Sequence, residues 1–215
     1  KDPNLNFNFA VLITNYSKKK AQTYQAQLAK QTPVSKVRAQ ELEANRLSDA
    51  VVQQLKDESD LKGRISQTNQ IRKVNNELVT YNVLADTIDE QFPMNTRADS
   101  MDVGDFLVEY FNALIGSHPE EFIDNVEQTR KVSLIADNNM FVGYIVLARR
   151  MFDKGIKARQ VRKIIRQIDF NRTADIWKEL RVVDEQGRIE RDTVKLRKNI
   201  KNYFEQLNIE EMLEV

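Results

Sequence analysis

The chain has 215 residues, enough for one large domain or two small ones, with 41% hydrophobic and 30% charged residues. Six glycines and four prolines are too few for the tight turns of a sheet sandwich, so the composition points to helices. The absence of cysteine excludes a disulfide framework, a thiolate metal site and a cysteine nucleophile, and it fits a reducing, cytoplasmic compartment.

No apolar run approaches the ~20 residues that cross a bilayer, so no membrane association is expected. The chain opens on KDPNLNFNFAVLITNY, without a methionine or a signal peptide, which suggests a fragment of a longer protein. The formal net charge of +1 hides a segregation. Residues 1–75 carry a net of +6, 76–127 a net of −11, 128–147 a net of +1, 148–201 a net of +9 and the last 14 residues −4. Partners respond to such local fields within about a Debye length of ~8–10 Å, so the segments matter more than the total.

In chain order, FNFAVLITNY (7–16) alternates and then runs apolar, which predicts a strand. Ser17 is placed to cap a helix over 18–31, which Thr32-Pro33 breaks. A second helix is predicted from about Ser35 to Lys56, with Val37, Leu42, Leu47, Val51 and Leu55 near helical spacing. Residues 62–76 read as a loop or irregular strand, and 77–92 as a helix ending before Pro93. Residues 98–116 form the clearest amphipathic helix, with Val103, Phe106, Leu107, Tyr110, Phe111 and Leu114 on one face. Asp99, Asp102 and Asp105 fall in its early turns, and Gly116 stands at its C-cap. A short helix follows Pro119. Residues 138–155 form a nearly all-apolar core helix stopped by Gly155, then helices are predicted at 157–168 and 173–180. A hairpin around Gly187 and a final helix over 192–207 complete the reading.

The chemistry-bearing residues are few. His118 is the only histidine, so structural zinc is excluded. Asp102, Asp105 and Glu109 share about one helical face and could hold Mg²⁺, although a solvated acidic face accounts for them without a metal. There is no Gly-x-Ser-x-Gly, no histidine beside a plausible serine and no phosphate-cradling glycine loop. An active site complete within these residues is not expected, nor is a cofactor.

The basic run ARRMFDKGIKARQVRKIIR (148–166) is the strongest signal. It carries Arg149, Arg150, Lys154, Lys157, Arg159, Arg162, Lys163 and Arg166 against one acid, Asp153. Arg159, Arg162, Lys163 and Arg166 are spaced to form one stripe of a helix, with Ile156, Val161, Ile164, Ile165 and Ile168 inward. Lys195 and Lys198, beside Arg197 and Lys201, form a second set. Like charges so spaced repel, and nucleic-acid phosphate would relieve the repulsion. The acidic section could do the same, within the chain or from a neighbouring subunit. Trp177 reads as a core residue rather than a base-stacking one, and Arg172 as a local ion pair with Asp175.

The string IRQIDFNRTADIWKELRVVDEQGRIERDTVKLRKNIKNYF (165–204) resembles the C-terminal end of DndB-like and DGQHR-domain proteins, associated with DNA sulfur modification (phosphorothioation). Ile168-Asp169-Phe170, Asn171-Arg172, Trp177, Gly187 and the helix 192–207 stand where that family has its corresponding features. Residues 9–42 resemble the strand and helix after the family's core, and 78–89, 106–114 and 138–151 its helical middle. The chain departs from the family in lacking Asp-Gly-Gln-His-Arg and in having Thr173 and Ala174 beside the arginine. The resemblance implies a mainly α, multi-helix fold with one or a few N-terminal strands left from an α/β ParB-like core. It places the end of that core at 1–33 and a helical domain at 34–215, acidic over 76–127 and basic over 148–201. It also implies a cytoplasmic bacterial or phage protein of DNA modification or anti-phage defence, binding DNA as a regulator. The reading from charge alone keeps a helical docking or self-association module as the alternative.

Overall fold

The computed structural model describes residues 15–31, 46–72 and 76–214. The strand expected at 7–16 falls, up to residue 14, outside the described residues, as does the first part of the helix expected at 35–56. The fold is mainly α. Its helices are α1 (Lys18–Gln31), α2 (Leu47–Glu58), α3 (Tyr81–Gln91), α4 (Arg97–Ile115), α5 (Val126–Val132), α6 (Met140–Asp153), α7 (Val161–Ile165), α8 (Asp175–Glu179), α9 (Thr193–Gln206) and α10 (Ile209–Glu214). Two short strands, β1 (Ile65–Ser66) and β2 (Val79–Thr80), pair in parallel, with Ile65 opposite Val79 and Ser66 opposite Thr80.

Local chemistry sets the boundaries. The Thr96 hydroxyl accepts the Asp99 amide at 3.1 Å, and the Asp99 carboxylate accepts the Asn95 and Thr96 amides at 2.8 Å, a capping box that starts α4. Those backbone donors, with the Thr96 hydroxyl, hold the Asp99 carboxyl below the ordinary carboxylate range. Asp192 caps α9 by accepting the Lys195 amide at 3.1 Å. Gly155, at φ +64°, ends α6. Its amide bonds to Phe152 O and the Ile156 amide to Met151 O, a Schellman closure that needs the left-handed glycine. Gly187, at φ +75°, turns the chain between Val183 and Ile189, which bridge antiparallel.

α6 is the centre of the core. Met140 through Ala148 and Met151 are all buried on it. α9 lies against α6 at Gly143, where an added Cβ would stand 2.2 Å from Phe204 Cδ2 and 2.9 Å from Ile200 Cγ2. Edge-to-face and stacked rings connect Phe111, Phe141, Tyr144, Phe204, Tyr203, Trp177 and Phe170 at centroid separations of 5.0–6.2 Å. Trp177 is fully buried, and its indole N–H donates to Asp169 O at 2.7 Å, which settles it as a core residue. Tyr144 and Tyr110 donate to Ile135 O and Tyr144 O at 2.7 and 2.8 Å, and burial pushes both phenols well above their ordinary pKa.

Four elements differ from the sequence expectation. The short helix expected after Pro119 is a π-helical turn (Glu120–Asp124) followed, past Asn125, by α5. The helix expected over 77–92 begins as β2, because Arg64 O accepts the Leu78 amide and draws 78–80 beside β1. The helix expected over 157–168 is a 3-10 turn (Ala158–Gln160) followed by α7. α10, which the reading omits, follows α9 after Leu207.

Candidate nucleic-acid interface

The basic run is positioned by what it buries. Ala158, Val161, Ile164, Ile165 and Ile168 are buried, and Ile156 is half-buried, so the inward face expected for this segment is the observed one. The cations divide by whether they hold helix-end carbonyls or C-terminal acids; Lys154, Arg162 and Lys163 do so although exposed.

Arg150 is structural. Its Nη1 donates to Phe204 O at 2.6 Å and its Nη2 to Leu207 O at 2.9 Å, so it caps the C-terminal end of α9. Arg162 does the same for α4, Nε to Ala113 O at 3.2 Å, and Lys163 for α10, Nζ to Leu213 O at 3.2 Å. Arg149 pairs with Asp153 at 3.0 Å and with Glu205 at 2.5 Å. Partial burial opposes its charge, and the hydrogen bonds it donates to those two carboxylates overcome the opposition and raise its pKa. Lys154 pairs with Glu210, whose carboxyl is held below its usual range by that contact. The acids that meet this part of the run therefore come from the C-terminal segment and from Asp153, not from Asp102, Asp105 or Glu121.

Lys157, Arg159 and Arg166 are exposed. Among the described residues Arg159 has one ion pair, to Glu109 at 3.4 Å, with side chains 70% and 54% exposed, and a pair that open contributes under about 1 kcal/mol. Lys195 and Lys198 are exposed on the N-terminal half of α9. Lys198 lines a depression of about 430 Å³ with Glu90, Val194, Arg197, Lys201 and Asn202. Lys201 is bound to Glu90 there, and half-buried Arg197 donates to Asn139 Oδ1 at 2.9 Å. The 3-10 turn runs directly into α7, but Arg162 and Lys163 are bonded to carbonyls of α4 and α10 and Arg159 faces Glu109, so those four do not form one stripe free of partners.

On the acidic side, Asp105 accepts from Gln54 Nε2 at 2.6 Å and Glu109 faces Arg159. Among the described residues no three His, Cys, Asp or Glu side chains are grouped to hold a metal ion. Among them, too, no helix is long and apolar enough to cross a membrane. Asp175 pairs with Lys178 at 2.9 Å rather than with Arg172, whose Nε approaches Ser133 O at 3.5 Å. The capping roles of Arg150 and Arg162 were missed because each cap lies about 50 residues away in sequence, at a helix end that only the tertiary fold brings near.

The chain is 28% identical over 212 residues to the SPbeta prophage-derived uncharacterized protein YopQ of Bacillus subtilis (strain 168). The match covers 94% of this chain and 45% of that protein, so the chain spans less than half the length of its relative. No family model matches the chain, and no solved structure matches it.

Proposed function

We propose that this chain is the helical part of a phage-borne DNA-binding accessory or regulatory protein that contacts duplex phosphates through Lys157, Arg159 and Arg166, with Lys195 and Lys198 as a second contact. The observation that carries this reading is that these five exposed cations hold no helix-end carbonyl and no C-terminal acid among the described residues, whereas Arg149, Arg150, Lys154, Arg162 and Lys163 do. Arg150, Arg162 and Lys163 cap helices, whereas Lys157, Arg159 and Arg166 add nothing comparable to the fold. Phosphate contacts of this kind fix a protein on DNA without reading its sequence. The prophage origin in the relative's name supports a phage context, and the resemblance to DndB-like proteins supports one of DNA modification or anti-phage defence. On this reading the residues that YopQ has beyond the match correspond to the core that carries Asp-Gly-Gln-His-Arg in the resembling family, and these helices dock that core to DNA without a catalytic role or cofactor.

The test is duplex binding across a salt series, wild type beside Lys157→Ala/Arg159→Ala/Arg166→Ala. Each phosphate contact contributes ~0.9 to the slope of log K on log salt, so the triple variant should lose about 2.7 of slope as well as affinity. Salt-insensitive or absent binding by the wild type would sink the reading.

A second reading, a helical docking or self-association module, is favoured by one feature: Val194, 81% exposed, at the rim of the α9 depression. Sedimentation with and without Val194→Asp distinguishes it, because a docking surface centred there would lose its association.

A further inference from the structure

The turn that follows α5 meets the Asn171-Arg172 segment, and the junction is tightly built. Ser133 and Asn171 bridge antiparallel, the Arg172 amide donates to Val132 O at 2.9 Å, and the Leu134 amide donates to Phe170 O at 2.8 Å. Arg130 stands beside it with its Nε on Ala136 O at 2.8 Å and its Nη2 on Glu77 O and Leu78 O at 2.8 and 3.2 Å. A cavity of about 240 Å³ opens there, lined by Asn76, Val126, Glu127, Arg130, Lys131 and Arg172. By liquid volume, roughly 30 Å³ per water, that holds an oxyanion with several waters.

Three cations and one carboxylate, Glu127, line this cavity. None of the three cations forms an ion pair among the described residues: Lys131 donates to the neutral Gln128 Oε1 at 3.0 Å, and Arg172 makes one long bond to Ser133 O. Arg130 keeps Nη1 without a partner among the described residues, while its other donors fix the plane of the fork. Burial lowers the Arg130 pKa and Arg172 lowers it further, with Asp137 opposing, so the two guanidinium groups are close enough to repel. A guanidinium anchored through its other nitrogens, with Nη1 left toward a small cavity beside a second guanidinium and an ammonium, offers a phosphoryl group charge-assisted donors from three side chains.

We infer that the Arg130–Lys131–Arg172 cavity is a binding site for a phosphate monoester dianion. Among the described residues the lining charge of three cations and one carboxylate is +2, which matches the −1.5 to −2 of such a group near neutral pH. The group has two natural sources, the 5′-phosphate at a nucleic-acid end and a free nucleotide or inorganic phosphate. This site is separate from the exposed cations proposed to hold duplex phosphodiesters, and its test does not depend on them.

The probe is inorganic phosphate, read as the thermal midpoint against chloride of matched ionic strength. At roughly tenfold excess over Kd the wild type should gain about 3–5 °C beyond chloride. Lys131→Gln/Arg172→Gln should lose that gain while melting in chloride as the wild type does, since both side chains reach solvent and Arg130 stays in place. Glu127→Gln, which removes the one lining carboxylate among the described residues, should bind phosphate several-fold more tightly. A wild type that melts alike in phosphate and chloride overturns the site, as does a double variant that keeps the gain. Duplexes ending in 5′-phosphate or 5′-hydroxyl then identify the source. A preference for the phosphorylated end that the double variant loses assigns the site to nucleic-acid ends. Equal binding of both ends, with the inorganic phosphate response intact, assigns it to a free phosphate or nucleotide.

Discussion

Arg150 donates to the carbonyls of Phe204 and Leu207, so a residue in the middle of a basic run is committed to holding a helix end. Hydrogen bonds from a charged group contribute about 1.5–3 kcal/mol, and Arg150→Ala should destabilise the fold by roughly that amount in chemical denaturation. Arg150→Lys should recover little of it, because one ammonium cannot span two carbonyls as the fork does. His118 carries a second prediction. Its Nδ1 lies 2.8 Å from Ser117 Oγ, and desolvation lowers its pKa from 6.5, with Glu121 opposing and Arg166 adding to the shift. The folded protein thus binds this proton more weakly than the unfolded chain does. Stability from this group is present above pH ~6.5 and falls as pH drops toward the lower folded-state pKa. Denaturation midpoints of His118→Gln should therefore decline less between pH 7 and 5.5 than those of the wild type; parallel declines would refute the assignment. Residue types were read well where one environment decides them. Trp177 was expected in the core and is buried even though its neighbour Ile176 is 37% exposed. Arg172 was expected to pair with Asp175, and Lys178 takes that carboxylate instead, since it sits one turn along α8.

Among the elements, the most readable was α4, where an apolar face, early aspartates and a terminal glycine agree, and where Thr96 and Asp99 close the start. α6 was equally plain because its apolar run exceeds any strand. The elements misread are those decided by distant contacts. β2 takes residues from a helical pattern because β1 offers it a partner. The 158–165 segment starts after Gly155 and opens as a 3-10 turn that runs into α7, with Ala158 and Val161 buried. α10 is six residues long and carries three glutamates, so no pattern announces it, and its position depends on Lys154, Lys163 and Gln167. The two glycines inside helices give a paired prediction. Gly143→Ala drives a methyl against Phe204 and Ile200 in the core and should cost about 1–3 kcal/mol. Gly104→Ala meets only the end of the Gln54 side chain, 2.0 Å away as placed, and Gln54 can turn aside. That variant should be neutral or gain up to about 1 kcal/mol from helix propensity. Equal losses in both would show that the α6–α9 contact is not the tight one.

Over the whole molecule, the charge segregation was legible from the sequence, and its consequence was not. The acidic section 77–127 balances the basic run by count, yet among the described residues its one ion pair with that run is Arg159–Glu109, and its contact with the second set is Glu90 on Lys201. The C-terminal acids do the nearer neutralising, Glu205 on Arg149 and Glu210 on Lys154. A sequence read in segments gives each segment's charge, but the pairing depends on which helices the core brings together, here α9 and α10 against α6 and α7. If DNA binds the exposed cations of the 157–166 segment, Arg149 and Lys154 lie a few residues away and are held in reserve by those two glutamates. Glu205→Gln/Glu210→Gln should then bind duplex DNA more tightly than the wild type and with a steeper salt slope, by up to ~0.9 for each cation released onto a phosphate. The fold should tolerate the change, because all four side chains are at least 28% exposed and surface pairs contribute under about 1 kcal/mol. An unchanged slope would mean that DNA does not reach α6, and would confine the contact to Lys157, Arg159 and Arg166.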